Sequence, residues 1–276
     1  LGKLSKKQIA ANRLATHDAM WRCPLCHQQL SMEDNARLTC SDGHAFDLAK
    51  QGYLNMAQQS HASIYDKTLF DARQRLNQAG FYEPLIDAIS QVLANTSINV
   101  MLDAGSGEGS HLHALQQHLD AALAIGIDLA KDGVQYAAKS YDNAQWIVAD
   151  LANIPLQNES VDVLLNILSP SNYSEFERVL KDDGLVVKVV PNSDYLKEIR
   201  NQLHKNTYSN DETVNRFREC FHVIQEERVN QTQSLSEAMF DDLIHMTPLT
   251  QDADLEKLSY IDHVTLDLTL LVGTKK

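Results

Sequence analysis

The sequence predicts an α/β protein, a mostly parallel sheet wound with crossover helices, preceded by a small metal-binding module. Two observations carry this. From Ile98 onward, short apolar runs alternate with longer amphipathic segments, the pattern of strands joined by helices. Ahead of them, three of the four cysteines, Cys23, Cys26 and Cys40, fall within eighteen residues. In a cytosolic setting such clustering indicates metal binding rather than a disulfide framework.

The elements follow in order. At 276 residues and 43% apolar composition, the chain holds one catalytic-sized domain and a small extra module. Residues 1–20 are a polar leader that begins with Leu1, and no function is assigned to them. Residues 21–56 lack helical periodicity and are rich in metal-ligand types. Residues 57–97 connect, with a helix from Asp66, its cap, to Ala79 before Gly80. A second helix runs from Glu83 to about Asn95, with Pro84 in its first turn, where a missing N–H costs nothing. Residues 98–276 form the sheet domain. Its expected strands are Ile98–Asp103, Ala122–Asp128, Gln145–Ala149, Val161–Ile167 and Leu185–Val190. Helices are expected near His111–Leu119, Lys131–Lys139 and Ser174–Leu180, the last with Ser174 and Glu177 as a capping box. Asp182-Asp183-Gly184 reads as the turn into the fifth strand. After a helical segment at Tyr195–His204, the runs Cys220–Val229 and His263–Gly273 flank a helix near Ser236–His245 and can pair as an antiparallel edge, giving seven strands. Cys220, beside Phe221, is expected to be a small buried hydrophobe.

No stretch reaches the roughly 18 apolar residues that span a bilayer, and the first twenty residues have no apolar signal core. A cytoplasmic protein without a membrane partner is expected. The formal charge of −13 argues against nonspecific nucleic-acid binding. The charge is unevenly divided, however. Residues 1–50 carry seven Lys/Arg against five Asp/Glu, and residues 51–276 carry seventeen against thirty-two. A mildly basic front on an acidic body suits a nucleic-acid handle, and a solvated acidic surface explains the second half equally well.

The sharpest motif is Cys23-Pro-Leu-Cys26 followed by Cys40 and His44. Two thiolates three residues apart fold around one ion as half of a tetrahedron, and Cys40 with His44 supplies the other half. Four protein ligands leave no place for a catalytic water, so one structural Zn2+ is expected. A redox pair at Cys23 and Cys26 is the competing reading, and it leaves Cys40 and His44 unexplained. His27 is an alternative ligand with poor geometry beside Cys26.

The second motif is Asp103-Ala-Gly105-Ser-Gly107-Glu108-Gly109, between a strand and a helix. Glycines let the backbone turn sharply and approach a ligand closely. A dinucleotide site would usually read Gly-x-Gly-x-x-Gly, whereas here the third glycine comes one residue early. Asp103 at the strand end suits the ammonium of a methionine moiety better than a diphosphate. Asp128, ending the second strand, can accept from two ribose hydroxyls, and Asp150, after the third, from an adenine amino group. Alone, each would usually be a solvated loop acid. Three at consecutive carboxyl ends, where open α/β sheets bind ligands, point to S-adenosylmethionine. Asn166 and Ser169-Pro170-Ser171-Asn172 face the same edge as candidates for the acceptor pocket, and Asn166 is also a candidate cofactor contact.

The sequence resembles the bacterial guanine-N1 methyltransferases of large-subunit (23S) ribosomal RNA over nearly its whole length. The likeness rests on Arg22-Cys23-Pro24-Leu25-Cys26, Cys40, His44-Ala-Phe46-Asp47, Ala49-Lys50-Gln-Gly52-Tyr53-Leu-Asn55, Ala72-Arg73 and Gly80-Phe81-Tyr82-Glu83-Pro84-Leu85. Leu4-Ser5-Lys6-Lys7 resembles the leader of the Gram-positive branch. The resemblance implies a Rossmann-like class I S-adenosylmethionine-dependent methyltransferase fold with a zinc module. It also implies that Tyr82, Gly107, Glu108 and Tyr195 surround the cofactor, although a histidine stands in the family where this chain has Tyr195. Asn55 to Arg73 is shorter and less basic than in the enterobacterial branch, and Ser-Pro-Ser replaces the common Ala-Pro-Cys.

The resemblance implies methyl transfer to ring nitrogen 1 of a guanine in a hairpin loop of the large-subunit RNA. The front module with Arg22, Arg37, Lys50 and Arg73 would grip the RNA, and the base would leave its stack to reach the sheet edge. The sequence names no general base, and a homodimer stays open. Two alternatives remain: a small-molecule methyltransferase whose zinc module only stabilises it, and a noncatalytic RNA-binding protein with a cofactor-like fold.

Overall fold

The computed structural model describes residues 4–33, 37–58, 67–205, 209–251 and 253–276. In chain order, these residues form α1 (Lys6–Thr16), β1 (Leu30–Glu33), β2 (Arg37–Cys40), β3 (Ala45–Asp47), β4 (Leu54–Asn55), α2 (Lys67–Gln78), α3 (Glu83–Leu93), β5 (Ile98–Ala104), α4 (Ser110–Leu115), β6 (Ala121–Asp128) and α5 (Lys131–Ser140). The chain continues through β7 (Gln145–Val148), β8 (Val161–Ile167), α6 (Tyr173–Val179), β9 (Leu180–Pro191), α7 (Lys197–Gln202), α8 (Asp211–Cys220), β10 (Phe221–Ser234), α9 (Glu237–Met246) and β11 (His263–Lys275).

The strand order β10-β11-β9-β8-β5-β6-β7-β4 reverses direction at β5, between β6 on one side and β8 on the other. That switch point opens a crevice at the carboxyl ends of β5 and β8. The strands β5 to β9 pair in parallel, and β11 joins β9 antiparallel and carries β10. The parallel runs are apolar almost throughout because both faces are covered. One face packs on Leu76, Leu85, Ile89, Leu112 and Val134, and the other on Leu14, Trp21, Leu30, Phe176 and Phe217.

Among the described residues the sheet has eight strands, one more than the sequence predicts. The extra strand is β4, which pairs in parallel with β7, and Met56 N donates to Val148 O at 2.8 Å just beyond it. This pairing covers the edge that β7 would otherwise expose. Trp21 bridges to Leu156, and Arg22 N donates to Pro155 O at 3.1 Å. The front residues therefore share a core with the sheet.

The leader is also structural. Ser5 and Gln8 form a capping box for α1, whose Ala10, Ala11 and Leu14 are buried. Lys6 Nζ donates to the carbonyls of Ala138 (3.0 Å) and Lys139 (2.8 Å) at the end of α5. Arg13 does the same for Ala144 and Asp142.

Three other local expectations need correction. Asn172, not Ser174, caps α6: its Oδ1 accepts from Glu175 N at 3.2 Å and from Ser174 Oγ at 2.8 Å. Asp182-Asp183-Gly184 lies inside β9, opposite an irregular register at Val161 and Val163. Helix α8 replaces the start of the expected strand, and Cys220 closes that helix half-buried. The proposed cap Asp66 of α2 lies outside the described residues.

Candidate active site and metal centre

Cys23, Cys26, Cys40 and His44 converge with all four donor atoms within 4.8 Å of one another. His44 Nδ1 lies 3.6, 3.3 and 3.4 Å from the sulfurs of Cys23, Cys26 and Cys40, and the last two sulfurs are 3.5 Å apart. A tetrahedral zinc with Zn–S bonds of about 2.3 Å requires donor edges of roughly 3.5–3.8 Å, so the cluster fits one ion. Local sequence builds it from two tight turns. In the first, His27 N donates to Cys23 O at 2.9 Å; in the second, Gly43 takes φ 82° as its N–H donates to Cys40 O at 3.0 Å. His27 is exposed and outside the donor set. With four protein donors the site is structural.

The sequence-predicted acids gather at the carboxyl edge. Asp103, at the end of β5, is 2% exposed, and its Oδ1 has no hydrogen-bond partner among the described residues. Burial, then the nearby Asp128 and Glu108, push its carboxyl up to about 8. A buried acid without a partner is costly, and a cationic ligand would relieve it. This is the observation that fits the ammonium and sulfonium of S-adenosylmethionine. Gly105 takes φ 92°, and a Cβ there would stand 1.8 Å from Ser169 Oγ. Gly107, at φ 55°, donates its N–H to Asp128 Oδ2 at 2.8 Å, while Asp128 Oδ1 accepts from Ala130 N at 2.7 Å. Each oxygen keeps a second lone pair for a ribose hydroxyl. Asp150 is exposed, with Oδ1 accepting from Ala152 N at 2.9 Å.

Glu108 is buried, with Arg73 Nη1 at 3.7 Å from its Oε2. Burial raises the Glu108 carboxyl, and Arg73 opposes that rise. The Tyr82 and Tyr195 hydroxyls lie 2.8 Å apart, both raised above the ordinary phenol by burial.

Asn166 is fully bonded within the chain. Its amide donates to Ala104 O (2.6 Å) and Pro170 O (3.0 Å), and its Oδ1 accepts from Ser171 Oγ (2.7 Å) and Lys188 Nζ (2.6 Å). That uses its whole hydrogen-bonding capacity. Asn166 therefore braces the loop after β8.

Beyond Arg73 and Tyr82 opens a cavity of about 680 Å³. Its walls include Ser169-Pro170-Ser171, Lys188 and Tyr195, with Arg200, Lys205 and Arg216 supplying further cations. Of the residues expected to hold RNA, Arg73 lines this cavity. Arg22 Nη1 donates to Asn153 Oδ1 at 3.2 Å, Arg37 pairs with Asp47 at 2.7 Å on the surface, and Lys50 is exposed.

Two family models match the chain: one described as RlmA, N-terminal, over residues 21–61, and one described as methyltransferase domain over residues 95–242. The Bacillus subtilis (strain 168) protein named "Putative 23S rRNA (guanine-N(1)-)-methyltransferase YxjB" is 38% identical over 275 residues, 93% of this chain and 98% of its own length. The chain belongs to that methyltransferase family. A 23S rRNA (guanine(748)-N(1))-methyltransferase of Streptomyces fradiae is 28% identical over 91% of this chain and 95% of its own. The crystal structure of the [4+2]-cyclase SpnF shares the fold, at a TM-score of 0.50 and 18% identity, covering 69% of this chain and 79% of that one. The architecture is that of a class I S-adenosylmethionine-dependent methyltransferase with an N-terminal zinc ribbon.

Within this family fold, sequence reasoning missed the basic residues of the cavity other than Arg73. Lys188 carried a readable signal, a charge in the apolar run Leu185-Val-Val-Lys188-Val-Val190. Arg216 carried none, because the helix that presents it was not anticipated.

Proposed function

We propose that this protein transfers the methyl group of S-adenosylmethionine to ring nitrogen 1 of a guanine in a hairpin loop of large-subunit ribosomal RNA. The observation that carries the reading is the adjacency of two chemistries: Arg73, on the cavity wall, lies 3.7 Å from buried Glu108, and Gly105 packs against Ser169 of the cavity. Asp103, without a hydrogen-bond partner for Oδ1 among the described residues, is buried beside Glu108 and Asp128, and the cation-lined cavity of about 680 Å³ begins at Arg73 and Tyr82. The cavity is of the size that takes a small molecule, and thus a flipped base with its sugar. Family membership along the whole chain, zinc ribbon included, favours RNA over a small acceptor.

In this reading Asp103 holds the cofactor's ammonium, Asp128 its ribose and Asp150 its adenine amino group. Gly105 and Gly107 give the backbone its close approach, and Glu108, Tyr82 and Tyr195 complete the wall. The bound cofactor supplies an activated methyl, so the protein's work is alignment and exclusion of water. Ser169, Pro170 and Ser171, braced by Asn166, shape the wall against which the base rests. Arg22, Arg37 and Lys50 on the front module and Arg73 at the cleft meet phosphates. We assign the protein to the cytoplasm, where ribosomes are assembled, and sedimentation would distinguish a monomer from a homodimer.

The test is to incubate unmodified 23S rRNA with labelled S-adenosylmethionine and map the modified base. Label at N1 of a single loop guanine is expected. Label in small-molecule extracts with none in RNA would overturn the reading.

A further inference from the structure

Lys188 lies in the C-terminal half of β9 and is 3% exposed. Its Nζ donates to Asn166 Oδ1 and to Ser169 O, both at 2.6 Å. No carboxylate among the described residues lies within ion-pair distance of it, and its neighbours on the sheet, Asn166 on β8 and Leu271 on β11, are uncharged. The residue lines the cavity beside Ser169-Pro170-Ser171.

The count of hydrogen bonds bears on its protonation. An ammonium has three N–H groups and no lone pair, whereas a neutral amine has two N–H groups and one lone pair. Two acceptors satisfy the neutral amine and leave its lone pair for the cavity. Burial works in the same direction, lowering this amine to about 8. The cations on the cavity wall, Arg73 from α2, Arg200 from α7, Lys205 after it and Arg216 from α8, disfavour another positive charge. Glu212 on α8 is the acid that opposes them, and Tyr82, Tyr173 and Tyr195 are held neutral by burial.

We propose that Lys188 is the general base that takes the N1 proton of the acceptor guanine. The inference rests on the methyl-transfer reading above. The N1–H bond breaks as Nζ takes the proton and becomes an ammonium. The electron pair on N1 forms the bond to the methyl carbon while the carbon–sulfur bond breaks, its pair remaining on sulfur. The ammonium finds two acceptors among the described residues for its three N–H groups and returns the proton to water when the products leave. Asn166 and Ser169 position the amine, and Ser171 in turn holds Asn166.

Two measurements test this. The first is carbon NMR of the protein labelled at lysine Cε, without RNA or cofactor, with Lys188 assigned by the signal lost in Lys188→Arg. Titration near pH 8 is expected, and titration at the ordinary lysine value overturns the proposal.

The second is single-turnover methylation of a 23S rRNA fragment across pH. The rate of the parent should rise tenfold per pH unit and level off near 8. Lys188→Gln and Lys188→Arg should be slower by about 100-fold or more, the usual contribution of a general base, with affinities for S-adenosylhomocysteine and RNA within about twofold. Arginine can donate to the same two acceptors but cannot take the proton, so an Arg variant at the parent's rate leaves Lys188 a mere brace. Should Lys188→Arg lose cofactor affinity through misfolding, Lys188→Gln and the parent's own pH profile still decide. A parent that methylates no RNA defeats the substrate reading and the base role together, whereas an active parent with an unaffected Arg variant defeats only the base role.

Discussion

The two halves of the proposed site are of opposite electrostatic character. At the β5–β6 end, Asp103, Glu108 and Asp128 converge on the glycine loop; at the β8–β9 end, Arg200, Lys205 and Arg216 line the cavity around the Lys188 amine, with Arg73 at the boundary. The difference teaches that the net charge of −13 says little about the ligand. A cationic cofactor belongs with the acids and a polyanionic acceptor with the cations, so the same field that repels RNA from the body admits it at one place.

The first way to break this comparison strikes both halves at once. Cys23→Ser with Cys26→Ser should release zinc, whose binding is folding free energy. Because β4 pairs with β7 and Trp21 is buried against the sheet, thermal melting should fall for the whole protein. Rescue of RNA methylation by added zinc should fail. A module that unfolds alone, with the melting of the body unchanged, would show the two to be independent.

The next largest effect concerns the acid half alone. Gly107→Val should abolish cofactor binding, since it places a branched residue at φ 55° beside the cleft. Calorimetry showing full affinity would mean the loop is only a turn. Asp103→Asn should cost about 1.5–3 kcal/mol of cofactor affinity, the usual loss of a hydrogen bond to a charged group, and leave RNA binding intact.

Asp103 also gives the comparison a pH dependence. Its carboxyl titrates near 8 in the free protein against an ordinary 3.8, so between those values the native state holds one more proton than the unfolded chain. Stability from this group is therefore fully present below about 4 and falls as pH rises to 8. An ammonium ligand needs the carboxylate, so cofactor affinity should rise with pH over that interval, and binding should release a proton. Calorimetry in buffers of different ionisation enthalpy measures that proton, and Asp103→Asn should abolish its release.

The smallest effect belongs to the basic half. Lys205→Ala with Arg216→Ala should leave cofactor affinity unchanged, weaken RNA binding and reduce its salt slope by about two phosphate contacts at most. An unchanged slope would place the RNA elsewhere.

The acid half was legible in the sequence and, apart from Arg73 and the telltale lysine of β9, the basic half was not, for a physical reason. Asp103, Asp128 and the glycines sit at junctions of strong apolar strands, where local pattern fixes position. Arg200, Lys205 and Arg216 come from elements without such a pattern: α8 buries only Val214 and Phe217, and α7 is about one turn shorter than the polar segment suggests. The four zinc donors were readable from spacing alone. The role of β4 was not, because two residues form a strand only when β7 offers its edge. The same holds for α1, whose Ser5 and Gln8 cap signal was present in a leader that looked dispensable.

Hydrogen exchange with mass spectrometry on the intact protein tests the division of the cleft most directly. S-adenosylhomocysteine should protect residues 103–109 and 126–130, and a 23S rRNA hairpin added to that complex should protect 168–171 and 211–216. Protection of 211–216 by the cofactor, or of the acid loop by RNA alone, would contradict the account.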